Sequence, residues 1–255
     1  MVISHRHRFI FIKTTKVGGT SLEHMLDGLC GDEDVLTPHK HEVEGYRPRN
    51  WEGPFDVMPE LRHIYRHEGQ LHEGFRGWLR QQVKDRERFH EGIPAWQVRH
   101  RVASSIWNDY FKFTIERNPW DKAISRYYHS KSIYEPKYGR ELTMDDWLDY
   151  FEQRLAQPWV TKSWGSEAPY NFPRYADSWT EELLVDRVLR YEDLDNELGA
   201  VFEQLGVNWP GQIPRTAKTG YRTDRRPYQE VLSDSQRERI AKACAKEIAL
   251  MGYTF

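Results

Sequence analysis

Cysteine is nearly absent from this chain. Cys30 and Cys244, the two among 255 residues, make no disulfide framework, which points to a reducing compartment. Long apolar runs are missing too, and none comes near the roughly 20 residues that a bilayer-spanning helix needs. Neither charge sign is in excess. A formal net charge of -2 gives no global basic field for bulk nucleic-acid binding, so no nucleic-acid partner is expected. The opening stretch, MVISHRHRFIFIKTT, has basic residues and then a short apolar run, without the longer apolar region or cleavage site of a signal peptide. A cytoplasmic location with no integral membrane contact is therefore expected. No internal repeat or low-complexity linker interrupts the sequence, so residues 1–255 read as a single domain. Aromatic residues are abundant, with ten tryptophans. Trp51, Trp78, Trp96, Trp159 and Trp164 could stack on sugar rings, although most tryptophans are core.

The periodicities alternate between strand and helix. Residues 9–13 read as a short buried strand. Residues 21–29 read as a helix, with Leu22, Met25, Leu26 and Leu29 on one face. Residues 110–116 form a second strand, followed by a helix capped by Asn118 with Pro119 at its first position. A further helix is predicted over 144–155. Residues 186–194 give a third strand and a turn, followed by a helix with Leu194, Leu198, Val201, Phe202 and Leu205 on one stripe, ended by Gly206. Ser233 and Gln236 have capping-box spacing and open a last helix through Ile240, Cys244 and Met251 to Gly252. This order predicts an α/β fold: a P-loop-like parallel sheet flanked by helices. Residues 31–95 are polar and poorly periodic, and read as an elaboration over the active face, with some helix near 75–83.

The stretch FIFIKTTKVGGTSLEHML (9–26) runs from strand to helix through a basic, glycine-containing turn. Backbone N–H groups of Val17 to Ser21 at such a turn are expected to be free, and the helix dipole adds positive potential there. Gly18 and Gly19 permit close approach of an anion, Lys16 adds a full charge, and Thr20 and Ser21 add hydroxyls. There is no G-x-x-x-x-G-K-[ST], and the second strand ends in Glu116-Arg117 rather than in an aspartate placed for Mg²⁺. A nucleoside triphosphate needs that metal; a sulfuryl donor does not. A metal-free anion site is the expectation. The pairs His5/His7, His39/His41 and His63/His67 have metal-like spacing, but nothing clearly completes a ligand set.

In ERNPWDKAISRYYH (116–129), Arg117 ends a strand and Ser125 lies about two helical turns further on, an arrangement suited to a terminal phosphate. With both constellations in this order, the chain resembles the sulfotransferases that use 3'-phosphoadenosine 5'-phosphosulfate (PAPS), in particular the polysaccharide-type branch. The resemblance implies that Lys16, Val17, Gly18, Gly19, Thr20 and Ser21 hold the 5'-phosphosulfate. It implies that Arg117 and Ser125, in the pattern R-[ND]-P-x-x-[KR]-x-x-S completed by Asn118, Pro119 and Lys122, hold the 3'-phosphate. LRYEDL (189–194) looks like the family's third block. PRTAKTGYR (214–222) and the terminal GYTF resemble the segment that closes over the donor, with Lys218 and Arg222 as candidates. It covers roughly residues 9–30 and 95–255.

The implied reaction is in-line transfer of SO₃ to a hydroxyl of a carbohydrate acceptor, in which positioning and electrostatics dominate. Lys16 would stabilise the leaving oxygen, and a base must take the acceptor proton. Here the sequence departs from the family pattern: in RFHEGIPAWQVRH (88–100), Gly92 stands where relatives often carry a histidine. His90, then Glu91, then His100 are the candidate bases. The loop 163–179 is expected to border the acceptor. Two rival readings stay open, a Mg²⁺-dependent kinase of related fold and a non-catalytic polysaccharide-binding protein.

Overall fold

A computed structural model describes residues 1–39, 41–155, 170–213 and 221–255. Strands β1 (Val2–Ser4) and β2 (Phe9–Phe11) pair as an antiparallel hairpin, and Arg8 takes φ 55° at its turn. Strand β3 (Val35–Leu36) adds antiparallel to β1, while β4 (Phe111–Glu116) and β5 (Arg187–Arg190) extend the other side in parallel. The spatial order is β3-β1-β2-β4-β5. The parallel core expected from the sequence is thus β2-β4-β5. The antiparallel edge is an addition: three residues of VIS and two of VL are too short for periodicity to register.

The helices are α1 (Gly19–Asp27), α2 (Met58–Glu68), α3 (Glu73–Lys84), α4 (Ala95–Arg101), α5 (Ser104–Asp109), α6 (Pro119–Tyr138), α7 (Met144–Leu155), α8 (Phe172–Tyr175), α9 (Leu194–Gln204), α10 (Tyr228–Val231), α11 (Asp234–Ala243) and α12 (Ala245–Met251). Strand β2 shows why they cover both faces of the sheet. Its phenylalanines, Phe9 and Phe11, pack with Phe113, Leu22, Leu26, Leu198 and Phe202. The alternating Ile10 and Ile12 pack with Ile64, Phe75, Leu79 and Trp96. A strand apolar on both sides belongs to a sheet covered on both sides.

Residues 31–95 do more than the expected elaboration, because they supply β3, α2 and α3. Helix α2 escaped the periodicity since its buried face includes Glu60. That carboxylate accepts from Arg101 Nε (2.5 Å) and Nη2 (3.0 Å) and from Gln97 (3.0 Å), so a charged residue occupies a core position. Helix α6 starts as expected: the Asn118 side chain accepts from the N–H groups of Trp120 (3.1 Å) and Asp121 (3.4 Å). The predicted C-terminal helix begins in a capping box at Ser233 but divides into α11 and α12 at Cys244. Among the described residues no helix is long and apolar enough to cross a membrane.

Candidate functional site

Parallel strands β2 and β4 run side by side, so the segments that follow them emerge at one edge of the sheet. After β2 the chain forms the expected turn. Lys16 takes φ 61° and Gly18 φ 73°, and Gly18 caps α1 without a side chain. Among the described residues, the N–H groups of Val17, Gly18, Gly19 and Thr20 have no partner. The Ser21 N–H does not join them, because it donates to Gly18 O at 3.0 Å as α1 begins. Thr20 and Ser21 are buried, Gly18 is exposed, and Lys16 is half-buried with Nζ 5.9 Å from the Tyr221 ring centre. Thr14 Oγ1 donates to Ile115 O (2.5 Å), and Thr15 donates twice to Asn171 Oδ1, from N (3.0 Å) and Oγ1 (2.9 Å). These bonds fix the turn against β4 and α8.

After β4, Arg117 reaches the same turn. Its Nη1 donates to Lys16 O at 3.0 Å, its Nε and Nη2 grip Asp121 Oδ2 at 2.8 and 2.5 Å, and its guanidinium lies 4.5 Å from the Tyr191 ring centre. Asp121 Oδ1 accepts from Arg222 Nη1 at 2.6 Å, which brings the C-terminal candidate to Arg117 through one shared carboxylate. Ser125 is half-buried further along α6. Lys218 and the expected sugar-stacking Trp159 and Trp164 lie outside the described residues. Lys122 of the same motif turns inward and pairs with Glu116, both fully buried. Burial pushes its ammonium down, but Glu116 and Glu247 outweigh this and hold it above its ordinary value. Glu116 also accepts from Asn171 (3.2 Å) and Tyr175 (3.1 Å).

The candidate bases separate in space. Glu91 Oε1 accepts from Lys13 Nζ at 2.8 Å, and the same ammonium donates to Glu23 (2.6 Å) and lies 3.1 Å from His39 Nδ1. Lys13 passes over the start of α1, where a Cβ on Gly19 would stand 3.2 Å from Lys13 Cγ. Glu91 is therefore one lysine away from the glycine turn. Burial raises Glu23, but Lys13 and other positive neighbours outweigh it and hold the carboxyl below its usual range.

His90 sits among α3 and α4 instead, edge-on to Trp78 with Nδ1 3.1 Å from Glu91 O. Its Nε2 is buried with no partner among the described residues. Burial, then Arg101, pushes it down to about 3. His100 lies in another cluster, 5.3 Å from the His63 ring and 6.2 Å from Trp96, and burial pushes it down to about 4. Gly92 takes φ 75°, and a Cβ there would meet Arg174 Nη1 at 2.5 Å. No side chain, and so no base, fits at that position.

Among the described residues no group of three His, Cys, Asp or Glu side chains is arranged to hold a metal ion. His5 meets Tyr110 Oη (3.0 Å) and His63 pairs with Asp177 (3.0 Å). Trp96 is core, and Trp51 and Trp78 pack against it. Four positions of the site escaped the sequence reading: Lys13, Asp121, Asn171 and Arg174. Two carried a signal. A lysine closing the apolar run FIFI needs a buried partner, and Asp121 stands at i+4 from Arg117. Asn171 and Arg174 fall in the stretch 163–179 expected to border the acceptor, of which 163–169 lie outside the described residues, but no local pattern singles them out, because their contacts are with residues far away in sequence.

No family model matches the chain. A protein of Archaeoglobus fulgidus described as uncharacterized is 28% identical over 116 residues, spanning 45% of this chain and 83% of its own. The crystal structure of a sulfotransferase from Alicyclobacillus acidocaldarius aligns over 97% of this chain and 96% of its own, with 18% identity and a TM-score of 0.40, a likeness too loose to carry an argument.

Proposed function

We propose that this protein is a PAPS-dependent sulfotransferase acting on a hydroxyl of a carbohydrate: a polysaccharide, oligosaccharide or glycolipid. The observation that supports it best is the bond from Arg117 Nη1 to Lys16 O (3.0 Å), which joins two sequence constellations about a hundred residues apart into one cationic edge. The free N–H groups of residues 17–20 suit the 5'-phosphosulfate, and α1 directs its positive end there. Arg117 and Ser125 suit the 3'-phosphate, with Arg222 beside them through Asp121 and Lys218 as the further candidate.

Lys16 neutralises the charge that grows on the 5'-phosphate oxygen as the sulfur–oxygen bond breaks. The acceptor oxygen forms the new bond to sulfur, its proton passes to the Glu91 carboxylate, and adenosine 3',5'-bisphosphate departs. Glu91 is the base we favour over His90: it stands beside the turn, whereas a histidine titrating at about 3 draws a proton weakly. The free thiols of Cys30 and Cys244 fit a cytoplasmic setting.

The test is thermal stability with adenosine 3',5'-bisphosphate, with ATP plus Mg²⁺, and with AMP. A ligand bound only by the folded state raises Tm by mass action, by about 2.7 kcal/mol of stability at a hundredfold excess over Kd. The bisphosphate alone should give the large shift without metal. A shift confined to ATP with Mg²⁺ would make the protein a kinase. No shift with any of them would leave a binding module and overturn the reading.

A further inference from the structure

Among the described residues, buried cationic side chains come with a carboxylate: Lys13 with Glu23, Arg101 with Glu60, Lys112 with Asp186, Lys122 with Glu116. Arg174 departs from that rule. It is 7% exposed, yet among the described residues no carboxylate lies within ion-pair distance of it. Nη1 donates to Gly92 O at 2.6 Å, and Nε is buried with no partner. Burial, then repulsion from Arg126, pushes the guanidinium down to about 10, while Glu91 attracts it from beyond ion-pair range. A buried cation without a counter-ion is unfavourable, and an unpaired buried donor calls for a partner that none of the described residues supplies.

The position of this cation is also constructed. Asn171, at the start of α8, is bonded to Thr15 of the anion turn and to Glu116, which fixes the segment that carries Arg174. Gly92, with φ 75° and no Cβ, lets the guanidinium lie on the chain next to Glu91. With Nη1 committed to Gly92, the Nε edge of the fork is left for a ligand. A guanidinium edge matches two oxygens of a carboxylate or sulfate.

We propose that Arg174, with Arg126 beside it, binds an oxyanion carried by the acceptor, a uronate carboxylate or a sulfate ester. The acceptor is then an acidic glycan rather than a neutral one. Its placement next to Glu91 rests on the sulfuryl-transfer reading; the anion subsite itself does not.

The experiment is a calorimetric or saturation-transfer titration of the full chain, with and without saturating adenosine 3',5'-bisphosphate. The probes are methyl glucuronide, methyl glucoside 6-sulfate and methyl glucoside. At least one acidic probe should bind ten times or more tighter than the neutral one, and which of the two does so identifies the anion. Arg174→Gln should reduce the preference to about one while bisphosphate affinity stays within twofold, and Arg174→Lys should restore part of it. Equal binding of all three probes, no binding of either acidic probe, or a preference that survives Arg174→Gln would overturn the proposal. If Arg174→Gln does not fold, Arg126→Gln takes its place, and an unchanged preference in that variant counts against the subsite. Failure of the bisphosphate to bind would sink the donor reading alone, because the titrations without it still decide the subsite.

Discussion

Arg117 carries its guanidinium to the turn at Lys16 and Arg174 carries its own to the turn at Gly92, and the two are held in opposite ways. Arg117 is half-buried and bonded to Asp121, which also takes Arg222, and its remaining nitrogen reaches Lys16 O. Arg174 is buried, has no carboxylate within ion-pair distance among the described residues, and rests on a backbone carbonyl. A shared carboxylate aligns two cations in advance and limits their mutual repulsion, which suits a polyanion such as a 3'-phosphate. A cation without such a partner keeps its full field for a single oxyanion. The proposed donor edge is preorganised by protein charges, whereas the proposed acceptor subsite leaves its counter-charge to the ligand.

The largest effect expected from breaking this comparison is at Lys16. Lys16→Ala should lower turnover by about 10³-fold, in the range for loss of one preorganised electrostatic contact, with Tm in the absence of ligand unchanged. A rate close to wild type would remove Lys16 from the chemistry. Next comes the base: Glu91→Gln should reduce kcat by about 10²- to 10³-fold, and His90→Gln by far less. The reverse order would return the assignment to His90.

Lys122→Ala probes the other half of the Arg117 motif. It strands Glu116 in the core, and we expect a loss of about 3–5 kcal/mol in stability by urea unfolding. Bisphosphate affinity should stay the same per folded molecule; a specific loss of affinity at full stability would make Lys122 a ligand rather than a brace. Arg117→Ala should weaken the bisphosphate by about 10- to 100-fold, the scale of a charged hydrogen bond. Asp121→Asn should weaken it several-fold, and tighter binding would mean that the carboxylate repels the phosphate more than it orders the arginines.

The last expected effect is on pH dependence. His90 and His100 titrate at about 3 and about 4 in the folded chain, against 6.5 for a free histidine. The unfolded state therefore binds more protons between those values, so stability rises with pH in that window. It is fully present above about 6.5 and is lost as pH falls toward 4 and below. Urea midpoints measured from pH 7 to 4 should decline, less steeply in His100→Gln; an equal slope would mean that His100 is solvated in the folded chain.

Much of the proposed donor edge was legible in the sequence because its parts are local. A glycine turn between strand and helix, an arginine closing a strand and an Asn-Pro helix start each declare their geometry within ten residues. Of the proposed acceptor edge only the stretch 163–179 was marked, and the partners of its residues were not legible. His90 and Glu91 are neighbours in sequence, yet Glu91 meets Lys13 while His90 packs on Trp78. Adjacent residues of a turn point to different partners, and no local pattern tells which way. Gly92 read as a missing base; its backbone angle and the guanidinium lying on it account for the glycine.

By itself the sequence determined the parallel core β2-β4-β5, the helices that follow its strands, and the two constellations proposed to hold the donor. Hydrophobic period, caps and turn residues act over one or two turns of chain, and they are written there. Tertiary structure alone decided that β1 and β3 complete the sheet, that Lys122 is buried beside Glu116, that Asp121 joins Arg117 to Arg222, and that Arg174 lies on Gly92 O with no carboxylate within ion-pair distance among the described residues. Those outcomes depend on which desolvated charges meet across distances of tens to more than a hundred residues, and burial sets the partners only once the core has closed.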